Sequence, residues 1–216
     1  MTTPCIYLAS QSPRRRELLE QIGVRFDVLN VDVPEDKNPT ESPYEYVVRL
    51  AIAKANAGKI ALNEQYLESK KNTLRCWQSK KKHATIDIVI GSDTAVVCDE
   101  RILGKPVSSE DAAEMLCLFS GRTHEVLTGV AVSGSSILAA VSCNLVTFRE
   151  LTELDISRYI ATNEGVDKAG GYAVQGLAAI FIEKIQGSYS GVMGLPVYET
   201  ANLLEQSGVQ ILPSVN

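Results

Sequence analysis

The stretch from Leu8 to Leu19, Leu-Ala-Ser-Gln-Ser-Pro-Arg-Arg-Arg-Glu-Leu-Leu, constrains this chain more than any other. Ile6 to Ala9 is an apolar run that reads as a short first strand. Ser12 suits a helix N-cap, Pro13 the first helical position, and Gly23 lies where a C-terminal cap belongs. Arg14, Arg15 and Arg16 therefore occupy the first turn of a helix. Unpaired backbone N–H groups and the helix dipole already present positive charge there, so each added cation costs roughly 0.3 to 1 kcal/mol unless an anion is bound. A phosphate turns that cost into a gain, because guanidinium forks match phosphate oxygens and a strand followed by a helix N-terminus cradles anions. A solvated basic turn is the alternative reading.

With 216 residues, 45% of them hydrophobic, the chain suits one globular domain with a real core. A net charge of −5 argues against general attraction to nucleic acid or membrane, so an anionic ligand has to be met by local clusters. Cys5, Cys76, Cys98, Cys117 and Cys143 are odd in number, widely spaced and without a C-x-x-C pair, as expected of reduced thiols rather than disulfides or a zinc site. Met1 to Pro4 lacks the charged start of a signal peptide, and no segment has the length and apolarity to span a bilayer. The expected compartment is the cytoplasm.

Phe26 to Asn30 alternates like a half-buried strand, and Val31 to Pro43 is a polar loop holding Glu35. Ser42-Pro43-Tyr44-Glu45 is a capping box that opens a helix running to about Leu62. Lys54 shares the apolar stripe of Val47, Leu50 and Ala51, so its ammonium either snorkels to solvent or reaches an internal anion. Residues 63–85 carry Lys70, Lys71, Arg75, Lys80, Lys81, Lys82 and His83 and read as an exposed basic loop. Trp77 within it leaves a nucleic-acid contact as a secondary reading, and nucleic acid is not the expected partner. The β-rich runs Ile86 to Gly91 and Ala95 to Cys98 flank Ser92-Asp93-Thr94, placing Asp93 at a strand end or bulge in a buried sheet. A carboxylate there requires donors or a metal.

A structural helix follows from Ser108 to Gly121, then a hairpin of 124–132 and 137–148, and a helix opening at Thr152. Asp167 to Gly176 is a glycine-rich loop, Ile180 to Ile185 a strand, and Gln186 to Tyr189 a turn. A last helix follows Leu195-Pro196, and Val209 to Leu212 reads as a final strand. His83 and His124 are assigned no role. There are no repeats and no low-complexity linker.

Several motifs occur in order with the first one: Arg49 and Lys54, Gly91-Ser92-Asp93-Thr94, Lys105-Pro106, and Gly121-x-x-His124-x-Val126-x-Thr128-Gly129. Asp167-Lys168-Ala169-Gly170, Gln175-Gly176, Gly187-Ser188-Tyr189 and Gly194-Leu195-Pro196 complete the set. Together they resemble the Maf family of nucleoside triphosphate pyrophosphatases over nearly the whole chain. Departures are Ser92, where alanine is more usual, and the length of the basic loop. The resemblance implies a single α/β domain over 1–216, built on a mixed, twisted β-sheet flanked by helices with a central cleft. A homodimer is implied by the resemblance alone.

Anhydride hydrolysis needs neutralised phosphates, a divalent ion and a positioned water. Ser10, Arg14, Arg15, Lys54 and Lys105 are the candidate phosphate binders. Glu35 and Asp93 are the candidate ligands of a divalent metal cation, Mg or Mn. The resemblance also implies Asp93 as general base, a role that residue type alone does not separate from metal ligation. In the family, a subgroup acting on dTTP and UTP is similar to this chain at Arg14, Thr94 and Gln175, and the Gln175 amide could pair with a uracil or thymine edge. Specificity for another base, such as 7-methyl-GTP, and a septum-formation regulator with little turnover are the alternatives.

Overall fold

The computed structural model describes residues 4–73 and 87–212. In chain order the elements are β1 (Ile6–Leu8), α1 (Pro13–Gln21), β2 (Asp27–Val28), α2 (Pro43–Thr73), β3 (Ile88–Cys98), β4 (Arg101–Leu103) and α3 (Ser109–Phe119). β5 (Thr123–Ser133), β6 (Ile137–Phe148), α4 (Glu153–Ile160), β7 (Ile182–Gln186), α5 (Tyr189–Met193) and α6 (Val197–Gln206) follow. Two 3-10 turns, Ala169–Gly171 and Leu177–Phe181, lie between α4 and β7. The strands form one mixed sheet in the order β2-β1-β3-β5-β6-β7, with β4 beside β3. β1 runs parallel to β2 and β3, and the β3-β5-β6-β7 pairs are antiparallel.

Alternation along β3 separates two layers. Ile88, Ile90, Val96 and Cys98 join the main core with Leu18 and Leu19 of α1, Leu116 and Phe119 of α3, Ile156 of α4 and Leu204 of α6. Val89, Ala95 and Val97 belong to smaller clusters on the opposite face, where Val47 of α2 packs against Ala95 and Val97. Both faces are covered, which is why β3 reads as a nearly unbroken apolar run. Two glycines set the depth of α2. A Cβ at Gly91 would stand 2.3 Å from the Ala51 carbonyl oxygen, and one at Gly129 would stand 2.4 Å from that of Val47. Backbone meets backbone there, and only glycine permits it.

One interruption in the pairing shapes everything that follows. On its β1 side, β3 is paired through Ile88, Val89 and Ile90 with β1, and through Val96, Val97 and Cys98 with β4. Among the described residues no strand pairs with 91–95 on that edge, so the sheet splits there into a cleft, as the resemblance implies.

The structure corrects four local expectations. β3 is a single strand whose register with β5 runs unbroken from Val89↔Ser133 to Val97↔Glu125, so Asp93 sits mid-strand, opposite Gly129, and at neither an end nor a bulge. α2 continues to Thr73, so 63–73 is helix rather than loop. The rest of the expected basic loop, with Trp77, Lys80 to Lys82 and His83, lies outside the described residues. The residues around Ser188 and Tyr189 form α5 instead of a plain turn, capped by Ser188 Oγ accepting from Gly191 N. Among the described residues, 209–212 are not assigned to a strand, and Val209 buries its side chain in the core. Local signals at other helix starts hold: Ser108 caps α3, and Thr152 with Asp155 forms a capping box at α4.

Candidate active site

The cleft at the unpaired edge of β3 has a volume of about 820 Å³, and Arg14, Arg15, Glu35, Lys54, Asp93, Thr94 and Lys105 all line it. Chain connectivity explains the convergence. β1 delivers α1, with its arginines, to one side of the split. β4 ends at Leu103 and delivers Lys105 to another, while α2 lies across the face to which Asp93 points. Ligand clefts of open α/β sheets form at such places, beyond the carboxyl end of a strand.

Lys54 is the electrostatic centre. Its Nζ donates to Glu35 Oε1 and to Asp93 Oδ1, each at 2.6 Å. Asp93 is 6% exposed. Burial pushes its pKa above the ordinary aspartate value, against the charge and hydrogen bond of Lys54 and the charge of Arg15. Glu35, with about half of its side chain exposed, shifts the other way. Burial raises it, but the Lys54 hydrogen bond and charge, joined by Lys105 and Arg15, bring it below the usual value. The two carboxylates thus differ in basicity although they share one ammonium. Tyr46 Oη donates to the Glu35 carbonyl at 2.9 Å. Burial, then the charges of Asp93 and Glu35, push this phenol up to about 12, so it stays protonated.

Arg15 is held by three separate segments. Nε donates to Gly194 O at 2.8 Å, Nη1 to Ser10 Oγ at 3.2 Å and Nη2 to Thr94 Oγ1 at 3.4 Å. Ser92 Oγ reaches the same Gly194 carbonyl at 2.9 Å and Gly129 O at 2.8 Å, so the serine at this position has a buried bracing role. Thr128 Oγ1 reaches Thr94 Oγ1 at 3.0 Å and Gly191 O at 2.8 Å. Gly194 caps α5 at φ 111°, a left-handed conformation that glycine adopts without strain. Burial lowers the Arg15 pKa while Asp93 and Glu35 oppose the shift, and a guanidinium remains charged.

The three arginines therefore divide. Arg14 and Arg15 line the cleft, whereas Arg16 folds back so that Nη2 donates to Gln11 O at 2.8 Å. Ser10 acts on Arg15 and does not itself line the cleft. Gln175 is exposed and outside the lining, although its neighbour Val174 is within it. Arg49 lies outside too, bound to Glu41 through Nε at 2.6 Å and to Asp36 O at 3.0 Å, where it braces the loop that carries Glu35. His124 is a core residue.

Tyr46 and Lys168 also line the cleft, and neither is among the candidate site residues of the sequence analysis. Tyr46 follows the capping box by one residue and gives no local signal. Lys168 lies in the Asp167-Lys168-Ala169-Gly170 motif, which was visible without a role. It pairs with Asp167, and Gly170 N donates to Gly104 O at 2.9 Å, setting this loop beside the one that carries Lys105.

A model of the Maf-like protein family matches residues 5–207. The chain is 48% identical to the dTTP/UTP pyrophosphatase of Aromatoleum aromaticum, covering 94% of this chain and 95% of that protein. It is also 48% identical to that of Alkalilimnicola ehrlichii, over 94% and 93% of the two chains. Identity to the enzyme of the same name from Nitrosospira multiformis is 47%, over 95% and 96%. With the split sheet, the convergent cations and these full-length similarities together, the chain belongs to the Maf family.

Proposed function

We propose that this protein is a nucleoside triphosphate pyrophosphatase that hydrolyses dTTP and UTP to the nucleoside monophosphate and pyrophosphate. The observation that carries the reading is the meeting, in one cleft, of Arg14, Arg15, Lys54 and Lys105 with the carboxylates of Glu35 and Asp93. The cations suit the oxygens of a polyphosphate, each charge-assisted contact being worth about 1.5–3 kcal/mol. Asp93, buried and more basic than an ordinary aspartate, takes the proton of the attacking water while the phosphoanhydride breaks and pyrophosphate leaves.

Glu35 and Asp93 form a donor set that suits magnesium or manganese. Both are hard oxygen ligands, they converge on a single cationic position, and phosphate oxygens and waters complete such a shell. Among the described residues no group of three or more His, Cys, Asp and Glu gathers that could hold a metal, which favours an ion shared with the nucleotide over a site made by protein alone. When bound, the ion supplies charge neutralisation at the phosphates. Arg14 and Thr94 in the lining, with Gln175 beside the lining residue Val174, are the proposed determinants of base preference. A homodimer is proposed on the family resemblance. Cytoplasmic placement is proposed on the unpaired thiols of Cys5, Cys98, Cys117 and Cys143.

The test is a panel of nucleoside triphosphates with magnesium or manganese, scored separately for pyrophosphate and orthophosphate. Pyrophosphate from UTP and dTTP, abolished in Asp93→Asn, is the expected result. Orthophosphate alone, or nucleotide binding without turnover, overturns the reading.

A further inference from the structure

The nucleotide pyrophosphatase reading leaves open how a divalent ion enters a site whose cation position is already filled, and the inference here rests on that reading. Lys54 Nζ stands within 2.6 Å of both candidate metal carboxylates, so two of its three N–H donors are used by the groups that would bind the ion. The lysine does not lie there loosely. It is carried by α2, which is held against the sheet at Gly91 and Gly129, and only 14% of its side chain is exposed.

The charge of the cleft points the same way. Five cationic side chains, Arg14, Arg15, Lys54, Lys105 and Lys168, line it against the carboxylates of Glu35, Asp93 and Asp167. A bare divalent cation entering this space meets net positive charge and has to displace an ammonium from two carboxylates. A metal–triphosphate complex is net negative and brings phosphate oxygens that can accept the displaced ammonium.

We infer that Lys54 is an internal counter-ion that closes the Glu35–Asp93 pair to free divalent metal, so that the cleft takes its substrate as the metal-chelated triphosphate. Lys54 then exchanges carboxylate for phosphate partners as the complex enters.

The inference is tested by titrating Mn²⁺ into the protein and reading free Mn²⁺ by electron paramagnetic resonance, with no nucleotide and with the non-hydrolysable α,β-methylene analogue of UTP. The unaltered protein is expected to bind Mn²⁺ stoichiometrically only when the analogue is present. Lys54→Met, with folding checked by its thermal transition, is expected to bind Mn²⁺ alone roughly tenfold or more tightly than the parent, because one opposing charge has gone. Equal affinity of parent and variant without nucleotide overturns the inference. So does saturable Mn²⁺ binding by the unaltered protein alone with the affinity seen beside the analogue, a result that stands even if the variant fails to fold. Pyrophosphate release from UTP by the unaltered protein is scored independently. A protein that releases pyrophosphate yet binds Mn²⁺ tightly by itself loses this inference and keeps the proposed function.

Discussion

Two titratable side chains are buried on neighbouring strands of one sheet, Asp93 on β3 and His124 on β5, and the fold treats them in opposite ways. Asp93 keeps a charged partner: Lys54 reaches it, Arg15 acts on it from nearby, and the unpaired strand edge opens it to a cleft. His124 gives up its charge. It is 2% exposed and its ring lies 4.1 Å from that of Phe119, 5.3 Å from Phe148 and 5.5 Å from Tyr172, measured between centroids. Burial pushes its pKa down from 6.5 to about 4. Nε2 lies 2.8 Å from Tyr172 Oη, and Nδ1 has no hydrogen-bond partner among the described residues. A buried titratable group stays accessible to a ligand when the structure supplies counter-charge and an opening, and becomes packing material when it supplies rings.

The largest test of this contrast is Asp93→Asn. The variant keeps the shape of the side chain and loses its basicity, so kcat for pyrophosphate release should fall by about 10² to 10⁴. A loss of less than about tenfold would make Asp93 as passive as His124. In the parent, activity should fall as pH drops through a value above the ordinary aspartate pKa of about 3.9, because the base must be ionised to work.

His124 should leave its mark on stability instead. Its folded-state pKa is depressed, so its contribution is complete above about pH 6.5 and is lost as pH falls toward about 4, where the unfolded chain takes up a proton that the native core resists. The loss is of the order of 3 kcal/mol. Urea melts of the parent and of His124→Phe across this range measure it. The variant should show a flatter pH dependence whatever its stability at neutral pH, and parallel slopes would remove His124 from the comparison.

Arg15→Lys should raise KM or lower kcat by roughly 10- to 100-fold, since an ammonium cannot serve Gly194, Ser10 and Thr94 in one plane and still face a phosphate. Steady-state kinetics on UTP decide this, and near-normal activity would show that charge alone is sufficient at this wall. The smallest effect belongs to Gln175→Ala, which should change the preference for UTP over other triphosphates by about tenfold or less while pyrophosphate release persists. An unchanged preference would remove Gln175 from base selection.

Much of this was legible locally. The β1-to-α1 junction, the capping boxes at Ser42 and Thr152 and the β5–β6 hairpin are marked by residues next to one another in the chain, and the structure keeps them. The misreadings share a cause. Ser92-Asp93-Thr94 looked like an interruption because polar residues broke an apolar run, yet Ser92 and Thr94 point to one side of a continuous strand and Asp93 to the other, each met by partners distant in sequence. The polar end of α2 lacks the apolar period that marked its beginning, so it resembled a loop. Val209 to Leu212 has strand-like composition yet is not assigned to a strand among the described residues, because burial of an apolar residue such as Val209 does not require one.

What the sequence alone determined is the inventory: arginines in a helix's first turn, a lysine on an apolar stripe and a carboxylate among β-formers. These depend on spacings of a few residues. Only the tertiary structure decided that they serve one site, because the opening between β1 and β4 on the edge of β3 is set by pairings among segments far apart in the chain. Local periodicity encodes which face of a strand is buried and carries no information about which stretch of its edge is left without a partner.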